Sequence, residues 1–195
     1  MSYRKEFTDA LSLLGQAFDQ FTELGYERPV LVGGAAVEFY TESMISSGDF
    51  DITTPSQEAL EDIFLELGFE HPFGAGVSTK GWVHPDYLIG VEVVANTPFE
   101  GRTDKEKLFL VDTGNGKVTI IPAEDIIADR MGQYNSGPRG IPEMLSQAIK
   151  IYRFAINLDE DYLERRIREE TLDDLGLKDL KEAANAKDNT DRTGP

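Results

Sequence analysis

The chain has no cysteine in its 195 residues, which excludes disulfides, thiolate metal sites and a cysteine nucleophile. It has two histidines, His71 and His84, and neither sits in a nucleophile or ligand motif. Both are read as structural or surface residues, so a histidine metal cluster or a Ser-His-Asp triad is not expected. No run of about eighteen apolar residues occurs, so no membrane span is expected. The opening MSYRKEFTDA lacks the apolar stretch of a secretory signal. Together with the missing cysteine, this fits a cytoplasmic protein. Basic residues are also scarce, 19 Lys and Arg against 36 Asp and Glu, for a formal net charge of −17. That balance argues against a broad basic surface for nucleic acid. It is read either as a solubility device or as adaptation to a salt-rich cytoplasm. Apolar residues, in contrast, make up 40% of the chain and aromatics 10%, enough for a sizeable globular core.

The most ordered signal runs from Val30 to Ile52, VLVGGAAVEFYTESMISSGDFDI. An apolar strand ends in Gly33-Gly34, a short amphipathic helix follows with Val37, Phe39 and Tyr40, and Ser46-Ser47-Gly48 turns into Asp49-Phe50-Asp51-Ile52. Backbone N–H groups at a helix start suit phosphate. Residues two apart on a strand share a face, so Asp49 and Asp51 can hold metal ions together. A phosphate cradle facing two carboxylates is the layout expected for Mg²⁺-dependent chemistry on a nucleotide. Each half alone is weak. Acid-x-acid pairs arise by chance in a chain this acidic, and Gly-Gly after a strand often marks a plain tight turn. A further acid, Glu92, stands alone in the apolar run Tyr87–Ala95, YLIGVEVVA. Glu is rarely buried unless paired or metal-bound, so Glu92 is a candidate third ligand; the competing reading is an edge strand with Glu92 facing water.

Hydrophobic-Gly-Gly, then Asp-x-Asp, then an acid on a later strand resembles the signature of the DNA polymerase β-like nucleotidyltransferase superfamily. VGGAAVEFYT followed by GDFDI is most similar to the small prokaryotic branch that includes AbiEii-type toxins of toxin–antitoxin systems. The resemblance continues through about residue 155, by way of WVHP, the strand carrying Glu92, a hairpin, and the run holding Glu124, Asp125, Asp129 and Arg130. It implies two Mg²⁺ ions held by Asp49, Asp51 and Glu92, an NTP substrate whose phosphates meet Gly33 and Gly34, and Arg130 near the triphosphate. The competing reading of Arg130 is an ion pair with Glu124, Asp125 or Asp129 on its own helix. Many members of the superfamily carry Arg or Lys plus Thr just before Asp-x-Asp. Here Ile45, Ser46, Ser47 and Gly48 stand there, so Ser47 keeps a hydroxyl and the cation is lost.

The remainder supplies the frame. Helices are expected over residues 3–25, with Gly25 just past the end, and from Ser56 to Leu67. Residues 69–77 read as strand or loop, 80–84 as a short strand with Trp82, and 107–121 as a hairpin around Gly114-Asn115-Gly116. After Pro122 the pattern becomes helical, at 124–134, 142–157, 159–170 and 172–184. The expected class is α/β (α+β), a small mixed β-sheet with flanking helices followed by a C-terminal helical bundle. The divisions are 1–121 for the core, 122–184 for the helices, and 185–195 as a disordered tail. The function expected is transfer of an NMP from an NTP to an acceptor hydroxyl on RNA, protein or a small molecule such as an antibiotic. The alternative is a catalytically latent binding or regulatory component of a toxin–antitoxin-like system, with a cognate toxin or antitoxin chain as partner.

Overall fold

Helix α1 (Lys5–Glu23) buries Phe7, Ala10, Leu11, Leu14, Phe18 and Phe21 at three- and four-residue steps. Gly25, with φ of 90°, ends it. The Gly25 N–H donates to Thr22 O at 2.9 Å and the Tyr26 N–H to Phe21 O at 3.3 Å, the two bonds of a Schellman cap. The computed structural model describes residues 3–72, 81–87, 89–136 and 140–192. It divides into two units, Met1–Pro122 and Ala123–Pro195.

The first unit is built on a six-stranded mixed sheet. Its strands are β1 (Val30–Val32), β2 (Asp49–Thr53), β3 (Gly81–His84), β4 (Ile89–Ala95), β5 (Phe109–Asp112) and β6 (Lys117–Ile120), in the order β3-β4-β2-β1-β6-β5. β1 runs antiparallel to β2 and parallel to β6, and β2 runs parallel to β4. Alternation along the strands sorts side chains onto two faces. Leu31, Phe50, Ile52, Trp82, Ile89, Val91 and Ile120 form the buried face. Helix α3 (Gln57–Glu66) joins α1 in covering it, since Phe7 stacks on Phe50 at 5.6 Å and Phe64 meets Trp82 at 5.2 Å. Each such side chain taken fully from water contributes about 1.5–3 kcal/mol. Phe50 therefore anchors β2 from below, and Asp49 and Asp51 must emerge on the opposite face.

β4 begins at Ile89, two residues later than Tyr87. It lies between β3 and β2, so it is not an edge strand. Of the segment 69–77, Glu70 bridges to Val83, and residues 73–77 lie outside the described residues. Lys80, at the start of the expected short strand, and residues 137–139 of the expected loop lie outside them too.

The second unit is helical: α4 (Ala123–Asn135), α5 (Pro142–Phe154), α6 (Glu160–Thr171) and α7 (Leu177–Arg192). Asp159 caps α6, its carboxylate accepting from the Tyr162 N–H at 3.1 Å. Asp125 and Arg166 form an ion pair with both side chains at 0% exposure, and Asp125 also accepts from the Tyr162 hydroxyl at 2.9 Å. α7 runs through Arg192, so residues 185–192 are helical in the stretch expected to lack structure. Among the described residues, no helix is long and apolar enough to cross a membrane.

Candidate active site

The site face is fixed by strand register. Asp51 is the lateral partner of Val32 on β1 and of Glu92 on β4, and Asp49 is the partner of Gly90. Lateral partners in a sheet stand about 4.8 Å apart with side chains on the same face. Asp49, Asp51 and Glu92 therefore project from one face of two parallel strands. Asp49 and Glu92 are exposed and Asp51 is half-buried. Among the described residues, the carboxylates of Asp49 and Glu92 have no hydrogen-bond or ion-pair partner. The exposure of Glu92 follows the competing sequence reading, while its internal strand and its register opposite Asp51 do not.

Glycines make room for these acids. α2 (Gly33–Tyr40) opens directly on Gly33, whose φ is 62°, a left-handed value that favours glycine. A Cβ on Gly33 would stand 2.0 Å from Asp51 Oδ2. One on Gly90 would stand 2.6 Å from Asp49 Oδ1, and one on Gly34 would stand 2.7 Å from Ser47 Oγ. Gly33 and Gly90 thus leave the space that the two aspartates occupy, and Gly34 leaves the space for the Ser47 hydroxyl. Ser47 Oγ also donates to Asp49 O at 2.7 Å, which ties the turn to the strand it feeds.

The donor set is all oxygen, the type that Mg²⁺ takes. Three carboxylates on neighbouring strands repel one another unless a cation lies between them. Among the described residues, no three or more acidic or imidazole side chains are gathered closely enough to hold a metal ion. The acids share a face and a register, and their oxygens are the donor type that suits Mg²⁺, while the room at Gly33 and Gly90 is filled by the aspartates themselves.

Glu38 is a residue beside the candidate site, bonded to Ser47, that sequence reasoning missed. It lies in α2 at 0% exposure and is held by Arg4, Ser43 and Ser47. Burial pushes its carboxyl up, but the Arg4 guanidinium, the Ser47 N–H and the Ser43 hydroxyl outweigh burial and hold it below the usual carboxylate range. The signal was present in the sequence: Glu38 is an acid between Val37 and Phe39 in an apolar helix, the pattern that singled out Glu92.

The other candidates have partners of their own. Arg130 is in the second unit, with its side chain 9% exposed, paired with Asp129 and donating to Gln147 Oε1 at 2.7 Å. In the same unit, Glu124 accepts from the Asp159 N–H at 2.8 Å. His84 is buried, donates to Leu67 O at 3.1 Å and meets Phe69 edge-on, and His71 lies on the surface against Glu61 at 2.7 Å. A cavity of about 120 Å³ opens at the Thr53 end of β2, lined by Val30, Thr53, Thr103 and Leu108. It is at the far end of the strand from Asp49, so the acids stand on an open face and not in this cavity.

No protein-family model matches the chain, and no curated protein sequence matches it. Solved structures do. The crystal structure of an antigenic nucleotidyltransferase-like protein from Paracoccidioides brasiliensis aligns over 95% of this chain and 94% of its own, at 18% identity and a TM-score of 0.60. The solution structure of the antibiotic-resistance factor ANT(2'')-Ia aligns over 94% of this chain and 93% of its own, at 15% identity and a TM-score of 0.45. At these identities the first likeness is one of fold. With its mixed sheet, its Gly-Gly opening onto α2 and its acids on β2, the chain has a nucleotidyltransferase fold.

Proposed function

We propose that the protein is a Mg²⁺-dependent nucleotidyltransferase that moves an NMP from an NTP to an acceptor hydroxyl. The observation that carries this reading is the lateral pairing of Asp51 with Glu92, with Asp49 two residues away on the same face and Gly33 packed against Asp51. The likeness of fold to a nucleotidyltransferase-like protein supports it. Asp49, Asp51 and Glu92 would hold two Mg²⁺ ions. Bound Mg²⁺ would neutralise charge on the attacking and leaving oxygens of an in-line displacement. Gly33 and Gly34 present backbone to the β- and γ-phosphates, and Ser47 offers a hydroxyl beside Gly34. The acceptor oxygen forms a bond to the α-phosphorus as the bond to pyrophosphate breaks. The acceptor proton passes to Glu92 or to a water beside it; the carboxylate of Glu92 is exposed and open to receive it. The acceptor belongs to RNA, a protein or a small molecule. The net charge of −17 favours a small molecule over RNA.

The test is transfer from labelled NTPs to total cellular RNA, protein and small-molecule acceptors, with Asp51→Asn beside the wild type. Label should appear on one acceptor class with the wild type and vanish with the variant. Equal transfer by Asp51→Asn rejects the assignment. A wild type that binds no NTP with Mg²⁺ in calorimetry supports the second reading, a latent binding or regulatory partner of a toxin–antitoxin-like pair. The lack of a gathered metal-binding trio among the described residues favours that reading.

A further inference from the structure

Four residues upstream of Asp51 the chain has Ser47, where the family resemblance asks for a base nearby. The fold brings a cation to this turn from another part of the chain. Arg4, at the foot of α1, donates from Nε to Glu38 Oε1 at 2.6 Å and from Nη2 to Glu38 Oε2 at 2.9 Å. The same Nη2 donates to Ser47 O at 2.6 Å, while the Ser47 N–H donates to Glu38 Oε2 at 2.6 Å. Ser43 completes the ring: its hydroxyl donates to Glu38 Oε1 at 2.8 Å and its oxygen accepts from the Arg4 N–H at 3.1 Å. One ion pair thus grips both the N–H and the C=O of Ser47. Ser47 in turn places its hydroxyl on Asp49 O and against Gly34.

We infer that Arg4 and Glu38 are positioning residues for the site: a two-toothed clamp that sets the Ser47 turn, and through it Asp49 and the glycine turn, for nucleotide. This rests on the transferase reading above. The geometry suits such a role better than a stray surface contact. Glu38 at 0% exposure has three donor groups converging on its carboxylate, and the planar fork of Arg4 fixes that carboxylate in two bonds. The partners are 34 and 43 residues apart in sequence, so the clamp exists only in the folded chain. A Cβ built on the neighbouring Gly48 would meet nothing within 4 Å, so no side chain at that position helps to hold the turn.

The experiment uses the full chain as wild type, Arg4→Gln, Arg4→Lys and Arg4→Gly. Binding of each of the four NTPs with Mg²⁺ is measured by calorimetry, and amide exchange is followed residue by residue. Arg4→Gln should weaken nucleotide binding about ten- to hundredfold, as loss of a supporting partner does. It should also speed exchange at Ser47 while leaving the β6 amides protected. Arg4→Lys keeps the charge without the fork and should restore only part of the affinity. Adding methylguanidinium to Arg4→Gly should recover binding, which a general loss of stability would not allow. Unchanged exchange at Ser47 overturns the clamp. So does faster exchange with nucleotide affinity untouched, because the pair is then structural. A wild type that binds none of the four NTPs rejects the transferase reading itself, whereas a binding wild type with an unaffected Arg4→Gln rejects the clamp alone.

Discussion

Gly33→Ala separates two costs that coincide at the site. The first is conformational. With φ of 62°, an alanine at this position costs about 1–2 kcal/mol. The second is steric. The new Cβ would stand 2.0 Å from Asp51 Oδ2, 2.9 Å from its Cγ and 3.0 Å from its Cβ, so the whole carboxylate has to move. Overpacking of this kind costs about 1–3 kcal/mol. Together the terms come to about 2–5 kcal/mol, a large part of the roughly 5–15 kcal/mol that holds a typical domain. Two other glycines serve as rulers. Gly25 has φ of 90° with nothing within 4 Å of a built Cβ, so Gly25→Ala carries the conformational cost alone. Gly48 has open space and no left-handed backbone, so Gly48→Ala carries neither. Urea unfolding should rank the losses Gly33 above Gly25 above Gly48, and Gly33→Ala should also lose NTP binding under conditions where it stays folded. Gly25→Ala should bind as the wild type does. If Gly33→Ala costs no more than Gly25→Ala, the contact with Asp51 is refuted.

The depressed carboxyl of Glu38 makes part of the stability pH-dependent. A folded-state value below the ordinary 4.5 gives stability that is whole above that pH and is lost as pH falls through the folded value. The difference in urea midpoint between wild type and Glu38→Gln should therefore be largest near neutral pH and shrink as the pH falls below the ordinary carboxylate value; a difference that does not vary with pH counts against the ionised pair. In the second unit, Asp125→Ala takes one carboxylate from the buried Arg166, which keeps Glu169 and Glu170, at a cost of about 1.5–3 kcal/mol. The double variant Asp125→Leu with Arg166→Met also takes partners from the Tyr162 hydroxyl, Glu169 and Glu170, so it should recover only part of that loss in denaturant melts; full recovery would mean those bonds add nothing. Chelation should abolish NTP transfer and Mg²⁺ should restore it; transfer that survives the chelator removes the metal from the mechanism.

The class of fold was legible because its strongest elements carry strong periods. α1 declared itself by apolar residues at helical steps, six of which it buries, and by Gly25, and the structure closes it with a Schellman cap at that glycine. β1 and β2 were legible from their apolar content and the turn between them. Strand order was not. That β2 lies between β1 and β4, antiparallel to one and parallel to the other, depends on long-range pairing that no local pattern encodes. The tail shows the opposite error. Residues 185–192 carry no apolar stripe, yet α7 extends through them.

The site was legible by type of residue more than by environment. A lone acid in an apolar run suggested burial beside a cation, and that argument selected Glu92. Glu92 is exposed, and what joins it to Asp51 is register across two parallel strands. The same argument applied to Val37-Glu38-Phe39 describes Glu38 correctly: 0% exposed, with an arginine in two-point contact. The difference lies in what each backbone offers. A strand presents alternate residues to opposite faces, so an acid next to the buried Val91 points naturally to the open side. A short helix of eight residues packed on a sheet has little outward arc, so an acid within it is taken inward unless a partner is absent. In sequences of this kind, a strand acid should be tested for register with other acids, and a helix acid for a distant basic residue able to neutralise it. Here that residue is Arg4, which lies in none of the motifs and reaches the site only because α1 folds back over the sheet.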